Sequence, residues 1–294
     1  MRKLLTRTTG LIGLVAAAGV VAQPARDFSA IEITTHPVAD NVYYLEGAGG
    51  NIAVLTGAEG VLLVDTQFAP LTEKIVAAVA AITDEPIRVV VNTHVHPDHT
   101  GGNENLRRMG YPVLAHDNVR VRMAQGIRGG EPSPPLALPS LTFGDELGLH
   151  LAQDVRLIKV PPAHTDGDTY VHFIGADVLH MGDVFRTTGY PVIDVDNGGS
   201  AAGTLAALEL ALEIAGPDTR IIPGHGVVSS ADDVREFHDM IAEVAERVSG
   251  LIDEGMTLEQ VLAAAPTADI DERWGGEPER FLTGLYQSLA GADR

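Results

Sequence analysis

The amino-acid sequence predicts a layered α/β fold. Apolar β-rich runs occur in both halves of the chain, helical patterns lie between and after them, and no fixed-period repeat interrupts them. A helical bundle and an all-β sandwich do not fit this alternation. With 294 residues, of which 45% are hydrophobic, the chain can bury a large core, and a single domain is the simplest division.

The first segment has the pattern of a secretory signal peptide. Three basic residues within the first seven precede an apolar run from 11 to 21, and small residues follow it. We predict cleavage after Ala22, because the apolar run is well short of the ~20 residues that cross a bilayer. The mature chain, residues 23–294, is then expected in the periplasm or outside the cell, without a stable membrane anchor.

Strand and helix patterns alternate along the mature chain. Residues 41–67 are apolar runs separated by glycine clusters, which is typical of strands joined by hairpins. Residues 71–83 have helical spacing, and a β-branched run at 86–94 follows. The other strand candidates are 111–116, 154–164, 170–183 and 218–225, and the other helix candidates are 117–126, 201–216, 230–255 and 257–264.

Residues 127–146 are rich in proline and glycine and predict a long loop. Long loops in compact domains are often functional, so this segment is our candidate for a wall or lid of the site. The two C-terminal helices begin at capping patterns, at Ser230 and at Thr257 with Gln260, and are expected to pack on the domain.

Charge and cysteine content exclude several partners and site types. The chain has 20 Lys+Arg against 40 Asp+Glu, a formal net charge of -20, which repels nucleic acid backbones and anionic lipid. We therefore expect no nucleic acid partner. Because there are no cysteines, disulfides, thiolate metal sites and a catalytic cysteine are excluded, and every metal ligand must be nitrogen or oxygen.

Side chains that bind metals stand just past the ends of four predicted strands. The first group is His94, His96, Asp98 and His99, in the stretch NTHVHPDHTGG. Single residues follow three later strand candidates: His164, Asp183 and His225. Because strand ends at one sheet edge converge, these seven side chains are expected in one cleft, and seven ligands are enough for two metals.

The motifs HVHPDH, AHTDGD, GDVF and PGHG, in that order, resemble those of the metallo-β-lactamase superfamily of binuclear metallohydrolases. The resemblance covers the chain from about residue 36 to the helix after His225. It implies a four-layer αββα sandwich that forms a single hydrolase domain. It also implies the metal ligands: His94, His96 and His164 at one site, Asp98, His99 and His225 at the second, and Asp183 either at the second site or bridging both.

These residue types suit hydrolysis. Three neutral imidazoles leave a four-coordinate Zn²⁺ with one open position, as in catalytic sites. Two ions that share a water lower its pKa far below the bulk value, towards about 7, which yields a hydroxide that can attack a carbonyl. We expect two Zn²⁺ per chain, with Fe and Mn left open by an all-N and O ligand set, and Asp98 is also a candidate to orient the water.

Candidate substrate contacts come from the resemblance. In the lactamase branch, a cation three residues past the Asp183 position binds a substrate carboxylate, and Arg186 occupies that place. An asparagine further along helps to polarise the carbonyl, and Asn197 is the candidate. The expected substrate is thus a small molecule with a carbonyl and a carboxylate, although either residue could instead be merely solvated.

Other polar residues are predicted to support the ligands. Asp65 and Asp168 are expected to fix ligand histidines, and His116 is a further supporting candidate. The remaining histidines lie in solvated or strand-like contexts and are not expected to bind metal.

The resulting prediction is a zinc-dependent periplasmic hydrolase that opens a cyclic amide. A β-lactam is the leading candidate because of the secretory context, Arg186 and Asn197. Against it, secreted lactamases of this type generally carry cysteine at the Asp183 position, and an aspartate there is more like the thioesterase and lactonase branches. A lactone, ester or thioester hydrolase and a non-catalytic periplasmic metal-binding protein are the alternatives.

Overall fold

Two β-sheets form the centre of the protein in the computed structural model, which describes residues 27–275 and 277–292. The predicted signal peptide, residues 1–22, lies outside the described residues. Among the residues that are described, no helix combines the length and apolarity needed to span a bilayer.

The first sheet has seven strands in sequence order. Its strands are β1 (Thr34–Ala39), β2 (Val42–Glu46), β3 (Ile52–Leu55), β4 (Val61–Val64), β5 (Ile87–Val91), β6 (Val113–His116) and β7 (Leu141–Phe143). The first four are antiparallel hairpins, whereas β4 to β7 are parallel and need crossover segments.

The second sheet has five strands in the order β12-β11-β10-β9-β8. Its strands are β8 (Glu146–Leu151), β9 (Gln153–Lys159), β10 (Thr169–Phe173), β11 (Val178–His180) and β12 (Arg220–Ile222). Neighbours are antiparallel except β11 and β12, which are parallel and are joined through a helix.

Nine α-helices lie within the described ranges. They are α1 (Thr72–Ile82), α2 (Pro97–Thr100), α3 (Asn103–Arg108), α4 (Asp117–Gln125), α5 (Ala201–Ile214), α6 (Ala231–Asp253), α7 (Leu258–Ala264), α8 (Asp271–Trp274) and α9 (Pro278–Ala292). Both predicted C-terminal caps are confirmed, because Ser230 and Thr257 each form a reciprocal capping box at the start of α6 and α7.

The apolar core has three layers of contacts. Between the sheets, β-branched and aromatic residues such as Val91 and Phe173 pack face to face. The outer face of the first sheet packs on α1 through Ile75 and Val79, and the outer face of the second packs on α5, α6 and α9. The four-layer αββα sandwich is therefore confirmed.

Three predicted boundaries are wrong. The strand expected at 154–164 ends at Lys159, so His164 lies in a turn five residues later. The run 170–183 is a hairpin of β10 and β11, because the chain turns at Ile174–Asp177. The loop expected at 127–146 contains β7, a three-residue strand that exists because it pairs with β6 and that has no clear pattern of its own.

Candidate metal centre

The histidine-rich segment follows β5 directly. The strand ends at Val91, and Pro97 then starts the short helix α2, which places Asp98 and His99 in its first turn. Proline is favoured at this position because its missing N–H would have no helical partner. The segment is thus held in a tight turn at the carboxyl end of the first sheet.

The second sheet supplies the other three predicted ligands. His164 lies in the turn between β9 and β10, Asp183 in a 3₁₀ turn after β11, and His225 just after β12. Asn51, after the β2–β3 loop, donates to the carbonyl groups of Pro223 and Gly226 and so ties the two sheets together at this edge. The site is built where the two sheets meet.

All seven predicted ligands come together. Three groups have ligand atoms within 4.8 Å of one another: His94 with His96 and His164, His94 with His99 and Asp183, and Asp98 with His99 and His225. His96 Nδ1 lies 2.7 Å from His164 Nε2 in the first group. Asp183 lies between the groups, with Oδ1 at 3.1 Å from His99 Nε2 and Oδ2 at 3.3 Å from His225 Nε2 and 3.8 Å from His164 Nε2.

Unpartnered polar atoms show that these residues fit a metal. His94 Nε2 is buried and has no hydrogen-bond partner, and Asp183 Oδ1 accepts no hydrogen bond despite its closeness to His99. Buried polar atoms without partners are rare in folded proteins because they are costly. Divalent cations would satisfy both atoms, and a donor set of imidazole and carboxylate suits Zn²⁺ as well as Fe and Mn.

The two halves of the site differ in charge. Burial lowers the pKa of His94 well below its ordinary value and, with repulsion from His96, lowers the pKa of His164 to about 3, so both rings are neutral, as ligands must be. Burial also disfavours charge on His99, but the carboxylates of Asp183 and Asp65 outweigh it and raise the pKa of His99 well above its ordinary value. A metal at the second group therefore displaces a proton.

Asp65 orients two of the candidate ligands, His99 directly and His94 through Thr93. It is fully buried at the end of β4 and accepts hydrogen bonds from Thr93 N (2.8 Å), from Thr93 Oγ1 (2.7 Å) and from His99 Nδ1 (2.8 Å). Thr93 Oγ1 in turn lies 3.0 Å from His94 Nδ1. Because both rings meet this network through Nδ1, both keep Nε2 free for a metal.

Two other predicted supporting residues act differently. Asp168 contacts no histidine ring: it accepts hydrogen bonds from Thr165 N and Oγ1 and so stabilises the turn that carries His164. Burial raises the pKa of Asp168 to about 7. His116 accepts a hydrogen bond from Asn118 N and caps α4, so it supports a helix rather than a ligand.

Asp194 is a supporting residue that sequence reasoning missed. Its Oδ2 lies 2.6 Å from His96 Nε2, and Arg128 Nε and Asn197 Nδ2 also donate to that oxygen, at 2.7 and 2.8 Å. A proton on His96 Nε2 leaves Nδ1 as the metal-facing atom. The only sequence signal is the acidic stretch DVDN, whose partner lies 98 residues away along the chain.

The two predicted substrate residues lie in different places. Arg186 lines a cavity of about 290 Å³ over the metal ligands, together with Asp98, Arg128 and Arg280. Asn197 is buried, bonds to Asp194 and is not among the residues that line this cavity, so its predicted role on a substrate carbonyl is corrected to a structural one. Spacing alone could not show that its amide was already used.

The chain was compared with protein families and curated proteins. Residues 45–225 match a family model described as "Metallo-beta-lactamase superfamily". The chain is 26% identical over 165 residues to the 2,4-dinitroanisole O-demethylase subunit alpha of Nocardioides sp. (55% of this chain, 49% of the relative). It is 34% identical over 141 residues to the hydroxyacylglutathione hydrolase of Thiobacillus denitrificans (47% of each). The chain thus spans about half the length of these relatives.

Solved structures share the fold. A metallo-beta-lactamase from Pontibacter korlensis superposes with a TM-score of 0.61 at 17% identity, over 72% of this chain and 99% of that one. A double mutant of the sec-alkyl sulfatase PisA1 superposes with a TM-score of 0.69 at 16% identity, over 87% of this chain and 50% of that one. At these identities the likeness concerns the fold.

Proposed function

This chain belongs to the metallo-beta-lactamase superfamily, and on that premise we propose that it is a binuclear zinc hydrolase whose first candidate substrates are esters and thioesters. The position of Asp183 carries the proposal. Its two oxygens face ligands of both groups, so this one carboxylate would hold both metals, when bound, at the position where lactamases of this type generally have a cysteine.

The protein's own residues give the site its polarity. Two divalent ions, when bound, supply Lewis acidity and lower the pKa of a coordinated water far below its bulk value, to about 7. His94 and His164 offer neutral nitrogen ligands, and His164 lines the cavity. Asp98 lines it too and is about one-third exposed (31%), so its carboxylate can orient a water. Arg186 lies on the wall of the same cavity, where its guanidinium can contact a substrate.

One comparison and one structural observation bear on the bond to be cleaved. The relative with 34% identity is named as a hydroxyacylglutathione hydrolase, which supports a thioester or ester. Arg186 on the cavity wall supports the second candidate, a cyclic amide such as a β-lactam, because it can bind the carboxylate next to the ring. A metal-binding protein without turnover is the non-enzymatic alternative.

Zinc-dependent turnover tests the proposal. We would assay the full zinc-loaded protein with a chromogenic thioester, an ester and a β-lactam, with and without a chelator, beside Asp183→Ala and the control His150→Ala, which changes an exposed histidine. Chelator-sensitive turnover that Asp183→Ala abolishes and His150→Ala keeps is expected. Turnover that survives chelation, or full activity in Asp183→Ala, would contradict the binuclear site.

We also propose that residues 1–22 direct export to the periplasm. The support is the pattern of basic residues, an apolar run and small residues in the sequence. Mass spectrometry of the protein from a periplasmic fraction should find an N-terminus at Gln23. An intact N-terminus and a cytoplasmic location would refute the proposal.

A further inference from the structure

Three arginines lie around the cavity over the metal ligands. Arg128 follows α4, Arg186 follows the Asp183 turn, and Arg280 lies in the first turn of α9. The chain carries twice as many acidic as basic residues, 40 against 20, so a cluster of three cations in one small cavity is not what composition predicts. Two divalent metal ions would add to this positive charge, because the carboxylates of Asp98 and Asp183 offset only half of the charge of the ions.

These arginines differ in how they are partnered. Arg128 is paired with Asp194, at 2.7 Å. Arg186 donates through Nη2 to Thr188 Oγ1 at 3.0 Å, but its buried Nε has no partner. The Arg280 side chain forms no hydrogen bond or ion pair with any residue in the described ranges. An arginine carries five N–H donors, and Arg186 and Arg280, unlike Arg128, have none of theirs committed to a carboxylate.

The surroundings of Arg280 are unfavourable for its charge in the free protein. Partial burial lowers its pKa, repulsion from Arg128 and Arg186 lowers it further, and Asp194 and Asp98 oppose the shift. A guanidinium held near like charges without its own carboxylate gains more from an incoming anion than a paired surface arginine does.

We propose that Arg280, which lines the same cavity as the position already expected to bind a substrate carboxylate at Arg186, is a second residue that binds an oxyanion group of the substrate, a carboxylate or a sulfate, and that Arg280 selects anionic substrates. The inference deepens the proposed hydrolase function and rests on it. Planar guanidinium groups suit this role because they bind the oxygens of such groups in pairs. Arg128 is engaged with Asp194 and is therefore not assigned to the anion.

The second cavity at Arg280 indicates where the rest of the substrate lies. A space of about 540 Å³ opens beside the metal cavity and shares Arg128, Val192 and Arg280 with it. Its α9 side carries Glu279, Thr283 and Gln287, and Asp194, Asp196 and Glu277 also line it, so the anionic group is favoured at Arg280 and not deeper in this cavity. An anion held at Arg280 thus lies at the junction, with the reactive bond on the metal side and the remainder of the molecule along α9.

Matched substrates test the selection by charge. We would measure kcat/KM of the zinc-loaded full chain for 4-nitrophenyl hemisuccinate, its neutral counterpart 4-nitrophenyl butyrate, and 4-nitrophenyl sulfate, in the wild type and in Arg280→Gln. Arg280→Gln removes one charge-assisted contact. Its kcat/KM is expected to fall about 10- to 100-fold, mainly through KM, for whichever anionic substrate the enzyme hydrolyses, whereas kcat/KM for the butyrate ester should not change. Turnover of the hemisuccinate would identify the bound oxyanion as a carboxylate, and turnover of 4-nitrophenyl sulfate would identify it as a sulfate. Equal effects on the neutral and the anionic ester would overturn the proposal.

Direct binding separates this inference from the hydrolase proposal. Calorimetric titration with succinate and with inorganic sulfate should show binding to the wild type that weakens about tenfold or more in Arg280→Gln. The control is Arg156→Gln, which changes an exposed arginine paired with Glu146 on the second sheet and should bind as the wild type does. Weaker binding in Arg280→Gln without turnover of any ester would uphold the anion site and refute the hydrolase. Undiminished binding in Arg280→Gln would refute the anion site.

Discussion

Replacing Asp65 by asparagine is expected to weaken metal binding in both halves of the site. The side chain keeps its shape, and asparagine tolerates the left-handed backbone that Asp65 adopts, with φ of 70°. What changes is the hydrogen-bonding capacity. Asp65 now accepts from three donors, two on Thr93 and one on His99, and an amide group can accept at only one of its two ends.

The structure gives the size of the effect. If the amide oxygen keeps the bond from Thr93 N, its NH₂ group faces His99 Nδ1–H, and the ring must move its proton to Nε2, where the metal binds. The lost contact is a charge-assisted hydrogen bond between buried groups, about 1.5 to 3 kcal/mol, or roughly a 10- to 100-fold change in an equilibrium constant. The Thr93 hydroxyl, which now donates to the same Asp65 oxygen, loses its acceptor as well, so its orientation towards His94 is no longer fixed.

Zinc titration against a chromophoric chelator provides the assay. The control is Asp168→Asn, which neutralises another buried carboxylate of the same region that touches no histidine ring. We expect second-site zinc affinity to fall about 10- to 100-fold in Asp65→Asn and to stay within threefold of the wild type in Asp168→Asn. An Asp65→Asn protein with wild-type zinc affinity would show that the hydrogen-bond network does not set the ring orientation.

Four further outcomes are expected. Asp194→Asn should weaken zinc binding at the three-histidine group about 10- to 100-fold, because His96 loses its anionic partner, and an unchanged affinity would refute this role. Gly50→Ala should lower second-site affinity by a similar factor, because a Cβ atom there would overlap the His99 ring; a wild-type zinc affinity at the second site would contradict it. Zinc binding at the second site should weaken up to about tenfold for each pH unit below the raised pKa of His99, since the metal displaces that proton; a flat profile from pH 8.5 to 6.5 would count against it. The stability of Asp168→Asn relative to the wild type should rise as the pH is raised from 5 to 8, because over this range the buried wild-type carboxyl, with a pKa of about 7, must lose its proton. Urea unfolding of metal-free protein should show that this difference in unfolding free energy grows by about 2 to 3 kcal/mol, and a constant difference would refute the prediction.

The convergence of the seven candidate ligands could be predicted from the sequence because its signals are local. His94 to His99 lie within one turn, and the later ligands each follow a recognisable strand or turn. The fold class followed for a similar reason, since apolar periodicity depends on neighbours along the chain.

Residues that act through distant contacts could not be found in this way. Asp194 meets His96 across 98 positions, and Arg280 reaches the cavity only because α9 packs beside it. Asn197 shows the converse error: its position along the chain was plausible, but Asp194 already holds its amide. Polar partners chosen by packing leave no periodic pattern in the sequence.

The division of the ligands between the two sheets has a consequence for how the protein matures. The first sheet ends at Phe143 and the second begins at Glu146, so the first four ligands and the last three come from successive halves of the chain. Neither half alone holds a complete site. If these residues hold zinc, tight binding requires that both halves have docked: the bound ions would then stabilise the docked arrangement, and a misdocked chain would bind metal only weakly.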